Sequence, residues 1–330
     1  MTIPTVALGQ GGIVTSSLSF GGAVIGNLFT EVSDEQAEEA LSVSYEAGIR
    51  YFDTAPHYGL GLSEHRMGRF LSGLDRSSVT LSTKVGRLIR PNPNYAGGQD
   101  TLGFAVSGKL HREVDYSYDA TMRSLEESLE RLQTDYVDLV FVHDSDDHES
   151  EALEGAFPAL EKLRSEGVIR SYGAGMNQSA MLTRFIQRTD LDVVMLAGRF
   201  SLLEQPALED LLPLAQSKGI SVVAAGVFNS GILAREYPPD GSHYNYDIAP
   251  ADILAKAREL ARVCVEHGYS LPQVAAQFPL THPAVSVVCL GARNGDQALR
   301  NAALFDELIP EQFYRELLEQ GLLSEGSLRY

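Results

Sequence analysis

Eight short apolar, β-branched runs alternate with longer stretches of helical periodicity between about residue 17 and residue 305, and this alternation leaves the chain few folds. The runs are Leu18–Gly22, Ile49–Asp53, Val79–Lys84, Val137–His143, Ile169–Gly175, Val193–Leu196, Ser221–Ala225 and Ser286–Leu290. Most are apolar throughout instead of alternating, the pattern of strands covered on both faces, as in a parallel sheet flanked by helices. Between them Ser33 and Gln36 form a capping box ahead of Ala37, Ala40, Leu41 and Tyr45. Met122, Leu125, Leu129 and Leu132 repeat the helical period, and Gly48, Gly167 and Gly219 stand where helices should stop. Two folds suit eight such units, an open doubly wound sheet or a closed barrel. The open sheet usually begins with a phosphate-binding glycine fingerprint, and neither Gly9-Gln10-Gly11-Gly12 nor Gly21-Gly22 has its spacing. The expectation is therefore a single-domain (β/α)8 TIM barrel over residues 1–330, with residues 1–16 as a hairpin plugging its floor.

Three segments are too long for simple turns: Gly86–Tyr116, Gly226–Pro250 and Asp306–Tyr330. Loops that follow barrel strands lie on the C-terminal face, where such barrels build their sites. Charge narrows the ligand. Lys+Arg 26 against Asp+Glu 44 gives a net −18, a surface that repels nucleic acid and anionic lipid. A small-molecule substrate is expected, with no nucleic-acid or membrane partner, and the oligomeric state is left open. Cys264 and Cys289 sit in apolar runs without metal-ligand spacing and read as buried structural thiols. The N-terminus shows no basic-then-apolar leader, and no run approaches the ~18 apolar residues of a membrane span. The expected location is the cytoplasm. The acidic stretch Asp144–Glu149 reads as a solvated connection, not a metal site.

Four chemically distinct residues fall at or just past consecutive strand ends: Asp53 and Tyr58 after the second, Lys84 at the third, His143 at the fourth. Barrel closure would gather them at one mouth. A phenol can give a proton to a developing alkoxide or take one from an alcohol, which is what hydride transfer to or from a carbonyl requires. A lysine ammonium beside it favours the phenolate, a carboxylate holds that lysine charged, and a neutral imidazole orients the substrate oxygen. No two-carboxylate pair suited to glycoside hydrolysis accompanies them.

These residues lie in segments that resemble the aldo-keto reductase superfamily. "YFDTAPHYGLGLSEHRMGRFL" (Tyr51–Leu71) is similar to its Asp, Tyr-Gly and Ser-Glu signature. "LSTKVG" (Leu81–Gly86) is similar to its lysine strand, and "YVDLVFVHD" (Tyr136–Asp144) to its histidine strand. The likeness runs from about Leu18 through Asn301 and implies catalytic Asp53, Tyr58, Lys84 and His143. It also implies an extended dinucleotide on loops after the later strands. Asn177 keeps the family's amide-binding asparagine, while Met176 and Ala197 replace its serine and glutamine. Ala225 stands where an aromatic usually stacks on the nicotinamide, with Phe228 as a substitute. Asn229, Ser230, Gly231 and Leu233 are placed at the pyrophosphate. Gly291, Arg293, Gln297 and Asn301 are placed at the adenosine end. Gly291 and Gln297 occupy the positions of cations that grip a 2′-phosphate, so NAD is expected; Arg293 and Arg300 leave NADP open. His57, Asp144 and Phe29 are expected to line the substrate pocket, and His111 to lie either there or at the surface.

"SFGGAVIGNLF", "VFNSGIL" and "LGARNGDQALRNAALF" further resemble one bacterial branch of the superfamily that oxidises cyclic hemiacetals to lactones. A small aldose is the first expected substrate and pyridoxal the alternative. A nicotinamide-binding redox sensor with little turnover is the reading from a different class.

Overall fold

The computed structural model describes residues 3–245 and 247–328. An antiparallel hairpin of β1 (Thr5–Leu8) and β2 (Ile13–Ser16) leads into β3 (Leu18–Gly21), β4 (Tyr51–Asp53) and β5 (Thr80–Val85). A second hairpin, β6 (Arg87–Pro91) with β7 (Leu110–Val114), is followed by β8 (Leu139–His143), β9 (Ser171–Met176), β10 (Val193–Ala197) and β11 (Ser221–Ala225). A minimal pair, β12 (His243–Tyr244) and β13 (Asp247–Ile248), precedes β14 (Val285–Leu290). Strands β3, β4, β5, β8, β9, β10, β11 and β14 pair in that order, all parallel, and β14 returns to β3 to close a barrel. Each of the eight expected strands is one of these.

Their edges differ in an instructive way. Ile49, Val137 and Ile169 were read as strand residues but precede the paired segments. They are buried all the same, because the turn entering each strand tucks under the helices. An apolar run reports burial, not pairing. The first helix, α1 (Asp34–Glu46), carries both halves of the expected box, Gln36 N to Ser33 Oγ at 3.2 Å and Ser33 N to Gln36 Oε1 at 3.0 Å. The next two, α2 (Leu62–Leu71) and α3 (Tyr118–Leu132), pack on each other, and α3 lies against β5.

The β1–β2 hairpin closes the N-terminal end of the barrel. Leu8 and Ile13 are fully buried against Tyr51, Leu139, Phe141, Val193 and Val287 inside it, each worth about 2 kcal/mol of apolar burial. Gly9 N donates to Ser221 Oγ at 3.0 Å. A side chain at Gly11 would begin 2.2 Å from the Arg170 carbonyl oxygen, so the hairpin fits only with glycine there.

Of the three long segments, two overhang the C-terminal face: the excursion carrying β6 and β7, and the one carrying β12 and β13. The third does not. Beyond residue 306 the chain packs on the opposite end, where Leu308, Ile309 and Tyr314 line a hollow with Pro4, Ser17 and Ser286. It follows the last helix of the barrel, not a strand, and so has no topological reason to reach the mouth. Among the described residues no helix is long and apolar enough to cross a membrane.

Candidate active site

Period-two alternation in the strands decides which side chains face the barrel axis. Tyr51 and Asp53 on β4, Ser82 and Lys84 on β5, and Leu139, Phe141 and His143 on β8 share one parity. The lower members fill the interior, and the upper members Asp53, Lys84 and His143 form its topmost layer. Thr83, of opposite parity, faces outward and donates to buried Glu64 at 2.7 Å, which Arg131 holds at 2.6 Å. That chain fixes the strand beside Lys84.

Lys84 Nζ lies 2.6 Å from Asp53 Oδ2 and 2.9 Å from the Thr54 carbonyl oxygen, with both side chains of the ion pair essentially inaccessible to solvent. Asp53 Oδ1 accepts from Ser82 Oγ at 2.6 Å, so both carboxylate oxygens are occupied. Burial favours the neutral amine of Lys84, but the Asp53 charge and then Tyr58 outweigh it and hold the ammonium above the ordinary lysine range. Tyr58 sits over this cation, ring centroid 4.8 Å from Nζ, at the floor of the mouth. The sequence suggested that Lys84 would draw the phenol toward phenolate. Its pull is present, but burial outweighs it, and the net shift of Tyr58 is upward. The His143 ring stands 5.7 Å from the Tyr58 ring, nearly perpendicular. Burial, then the Arg87 and Lys84 charges, keep His143 neutral far below its ordinary range, so it carries one N–H to offer.

Above Tyr58 opens a cavity of about 480 Å³ lined by His57, Tyr58, Lys84, His143, Asp144 and Phe29, joined by Leu28, Phe104, Met176, Asn177, Ala197 and Ala225. A second hollow of about 360 Å³ continues from it, sharing Leu28, Phe29, Asn177, Ala197 and Gly226 and extending to Arg199, Asn229, Ser230 and Asn245. Together they make a continuous cleft, with the chamber above Tyr58 at one end and a groove reaching Arg199, Asn229, Ser230 and Asn245 at the other. Burial pushes His57 down to about 2, with the Arg112, Arg87 and Lys84 charges adding to it. Its Nδ1 is buried without a hydrogen-bond partner.

The sequence matches the Aldo/keto reductase family over residues 17–320. The chain belongs to the aldo/keto reductase family. It is an oxidoreductase that uses a nicotinamide dinucleotide. It is 42% identical over 320 residues to a D-threo-aldose 1-dehydrogenase of a Pseudomonas species, covering 96% of this chain and 97% of the relative. It is 40% identical over 344 residues to the pyridoxal 4-dehydrogenase of Microbacterium luteolum, with the same coverages. The structure superposes on the holo form of aldo-keto reductase AKR11C1 from Bacillus halodurans with a TM-score of 0.78 at 28% identity, covering 99% of this chain and 98% of that one.

For an aldo/keto reductase, the groove has the features a dinucleotide needs. Asn229, in the groove lining, has its Oδ1 buried without a hydrogen-bond partner, and such an atom in a cleft is open to a ligand; Arg293 Nε, beyond β14, is likewise buried and unpartnered. Ser230 and Gly231 adopt positive φ (59° and 95°), turning the chain after β11 tightly beside the groove. The Leu233 side chain is fully buried in the core, and its amide donates to the Phe228 carbonyl oxygen at 3.2 Å. Phe228 packs against the core and lines neither hollow, while Ala225 and Ala197 line the chamber. Beyond β14 the loop is held by its own side chains: Gln297 Oε1 accepts from Arg293 N at 2.9 Å, and Asn301 Nδ2 donates to the Gly291 carbonyl oxygen at 3.0 Å. A Cβ on Gly291 would lie 2.3 Å from Val24 Cγ2, which excludes a lysine there without movement of β3's loop.

His111 lies on β7, outside the cavity lining. Cys264 and Cys289 are buried free thiols, each pushed up to about 12 by burial. Among the cavity residues outside the sequence reading are Leu102, Gly103 and Phe104, from the segment between β6 and β7. Phe104 lies 5.2 Å from His57 and 6.2 Å from Tyr58, ring to ring. Its signal was there, since Thr101–Val106 is an apolar island within the polar stretch 91–109. Only the fold shows that the island turns inward.

Proposed function

We propose that this aldo/keto reductase oxidises the anomeric hydroxyl of a small aldose such as L-fucose to a lactone, with NAD as the preferred acceptor. The observation that carries the reading is Tyr58 between the buried Lys84–Asp53 pair and neutral His143, at the floor of a chamber sized for a monosaccharide. The 42% identical aldose dehydrogenase supports the substrate class.

Bound in the groove, the nicotinamide supplies the hydride acceptor. The chain supplies the rest. Tyr58 Oη takes the anomeric hydroxyl proton as the C–H bond gives up its electron pair, and returns that proton to solvent. Lys84 lowers the work of removing the Tyr58 proton, and Asp53 keeps Lys84 charged and aimed. His143 donates its N–H to the reacting oxygen. His57 and Asp144 take hydrogen bonds with the remaining hydroxyls, while Phe104 and Phe29 exclude water from the chamber. At the far end, Gly291 and the inward-turned Gln297 leave no cation for a 2′-phosphate, which favours NAD; Arg293 Nε is the donor through which NADP would gain a hold.

Pyridoxal is the second reading, favoured by the 40% identical relative and by the aromatic lining of Phe29, Phe104 and His57. A dehydrogenase screen with NAD and NADP against L-fucose, L-galactose, D-arabinose and pyridoxal tests the proposal. Turnover of an aldose with a higher kcat/KM for NAD is the expected result. Turnover of pyridoxal alone selects the second reading, and dinucleotide binding without oxidation or aldehyde reduction selects a redox sensor.

A further inference from the structure

The β6–β7 hairpin interrupts the barrel between β5 and α3, and its side chains reach three separate points of the mouth. From β7, Arg112 donates through Nε and Nη2 to the His57 carbonyl oxygen at 3.2 and 2.7 Å. Arg112 is itself locked by Asp100 at 2.6 Å, and both side chains are almost fully buried. From β6, Arg87 Nη1 donates to the His143 carbonyl oxygen at 3.2 Å and lies 3.6 Å from Asp144 Oδ2. Just past β7, Tyr116 Oη lies 2.5 Å from the His143 carbonyl oxygen and 2.9 Å from that of Asp144.

Apart from the Arg87–Asp144 ion pair, these contacts leave the side chains that face substrate untouched. Arg112 and Tyr116 hold only the main chain of those residues, so they set where His57, His143 and Asp144 point without taking up their side-chain polar atoms. The Asp144 backbone needs such holding. Its φ is +42°, a left-handed conformation that a non-glycine residue adopts only when its surroundings determine it. The amide of Asp144 is fixed as well, donating to the Gly175 carbonyl oxygen at 3.0 Å. Tyr116 in turn is seated on Gly86 (φ +104°), where a Cβ would come within 2.1 Å of its ring. Gly86 follows Lys84 by two residues, so the strand that carries the ammonium also carries the seat of the clamp.

We propose that the β6–β7 hairpin is the positioning frame of the substrate chamber. In it Arg112 and Tyr116 act as positioning residues that set substrate specificity by gripping the carbonyls of His57, His143 and Asp144. The inference rests on the assignment of those three residues to the chamber. Burial pushes the Tyr116 phenol well above its ordinary range, so its donor is retained across the working pH of the enzyme.

A paired set of double-mutant cycles on the full-length enzyme tests this, read on whichever substrate the wild type turns over. Tyr116→Phe keeps the ring on Gly86 and removes only the oxygen; Arg112→Lys keeps a cation opposite Asp100. Each is made alone and in His57→Ala and Asp144→Ala backgrounds, with dinucleotide Kd and Tm measured alongside. Tyr116→Phe should lower kcat/KM by about tenfold to a hundredfold, mainly through KM, the scale of a small misplacement. Dinucleotide Kd should stay unchanged. Its effect should shrink in the Asp144→Ala background and persist in the His57→Ala background, and Arg112→Lys should show the reverse pattern. Losses of equal size in both backgrounds, or a folded Tyr116→Phe enzyme with parental kcat/KM, would overturn the proposal. If the wild type reduces aldehydes but oxidises no hemiacetal, the proposed function fails while the cycles, read on aldehyde reduction, still decide the role of the frame.

Discussion

Replacing Lys84 with methionine preserves most of its volume and removes the one cation beneath Tyr58. Two consequences follow, and they separate experimentally. The first is on stability. Lys84 and Asp53 form a buried pair at 2.6 Å, and deleting one partner of such a pair strands the other at about 3–5 kcal/mol. Ser82 Oγ stays as a donor to Asp53, which places the expected loss toward the lower figure. The second is on the proton. A charge 4.8 Å from the phenol ring interacts with a phenolate by roughly 3.5 kcal/mol at an effective dielectric constant of about 20. Its removal should therefore cut the phenolate fraction at any given pH by a factor of a few hundred. Because Tyr58 already titrates above the ordinary tyrosine range, the oxidation rate of the wild type should climb with pH from neutral well into the alkaline range without levelling. The variant should run parallel to it and lower by the same factor of roughly a few hundred. Single-turnover oxidation of an aldose across that pH range, at saturating NAD and a temperature where Tm shows the variant folded, reads the second effect free of the first. A folded Lys84→Met enzyme within threefold of wild type would refute the role given to Lys84.

Tyr58→Phe should reduce turnover by about 10²–10⁴-fold while dinucleotide binding, followed by fluorescence titration, stays intact. Gly86→Ala places a methyl 2.1 Å from the Tyr116 ring at φ +104°, and thermal unfolding should show a loss of about 2–4 kcal/mol. Acid stability has a definite sign. His57 and His143 are held neutral in the folded chain, His57 down to about 2, whereas the unfolded chain protonates both near pH 6.5. Stability is therefore complete above about pH 6.5 and falls as the pH drops below it, by up to about 1.4 kcal/mol per pH unit for each residue. His57→Phe should make that decline shallower, and an unchanged decline in urea titrations would count against the burial assigned to His57.

The barrel was legible because its evidence is local and repeated. Each strand announces itself by apolar residues, each helix by its period and cap, and eight repeats leave little choice of topology. Asp53, Lys84 and His143 were legible for a related reason: they end consecutive strands, and closure alone brings strand ends together. Tyr58 lies in the short turn after β4 and follows with them. What the sequence could not show is whatever depends on how a long excursion folds back. Phe104, Arg112 and Tyr116 come from the β6–β7 segment, which pairs with itself but docks on the mouth through long-range contacts with His57 and His143. Leu233 and Phe228 carry the opposite ambiguity, since an apolar residue in a loop motif reads equally well as ligand contact or as core. The direction of the Tyr58 shift also needed three dimensions, because burial and the Lys84 charge oppose one another and only geometry shows which is larger.

The central claim is that Tyr58 removes the anomeric hydroxyl proton while carbon 1 of an aldose gives its hydride to the nicotinamide. It is tested most directly with L-fucose deuterated at carbon 1 and NAD, following the label by mass spectrometry in wild type and Tyr58→Phe. The account predicts deuterium in the reduced nicotinamide, an unlabelled lactone as the product, and label transfer slowed by orders of magnitude in the variant. Deuterium retained in the sugar product, or label transfer at the wild-type rate without the Tyr58 hydroxyl, would contradict it.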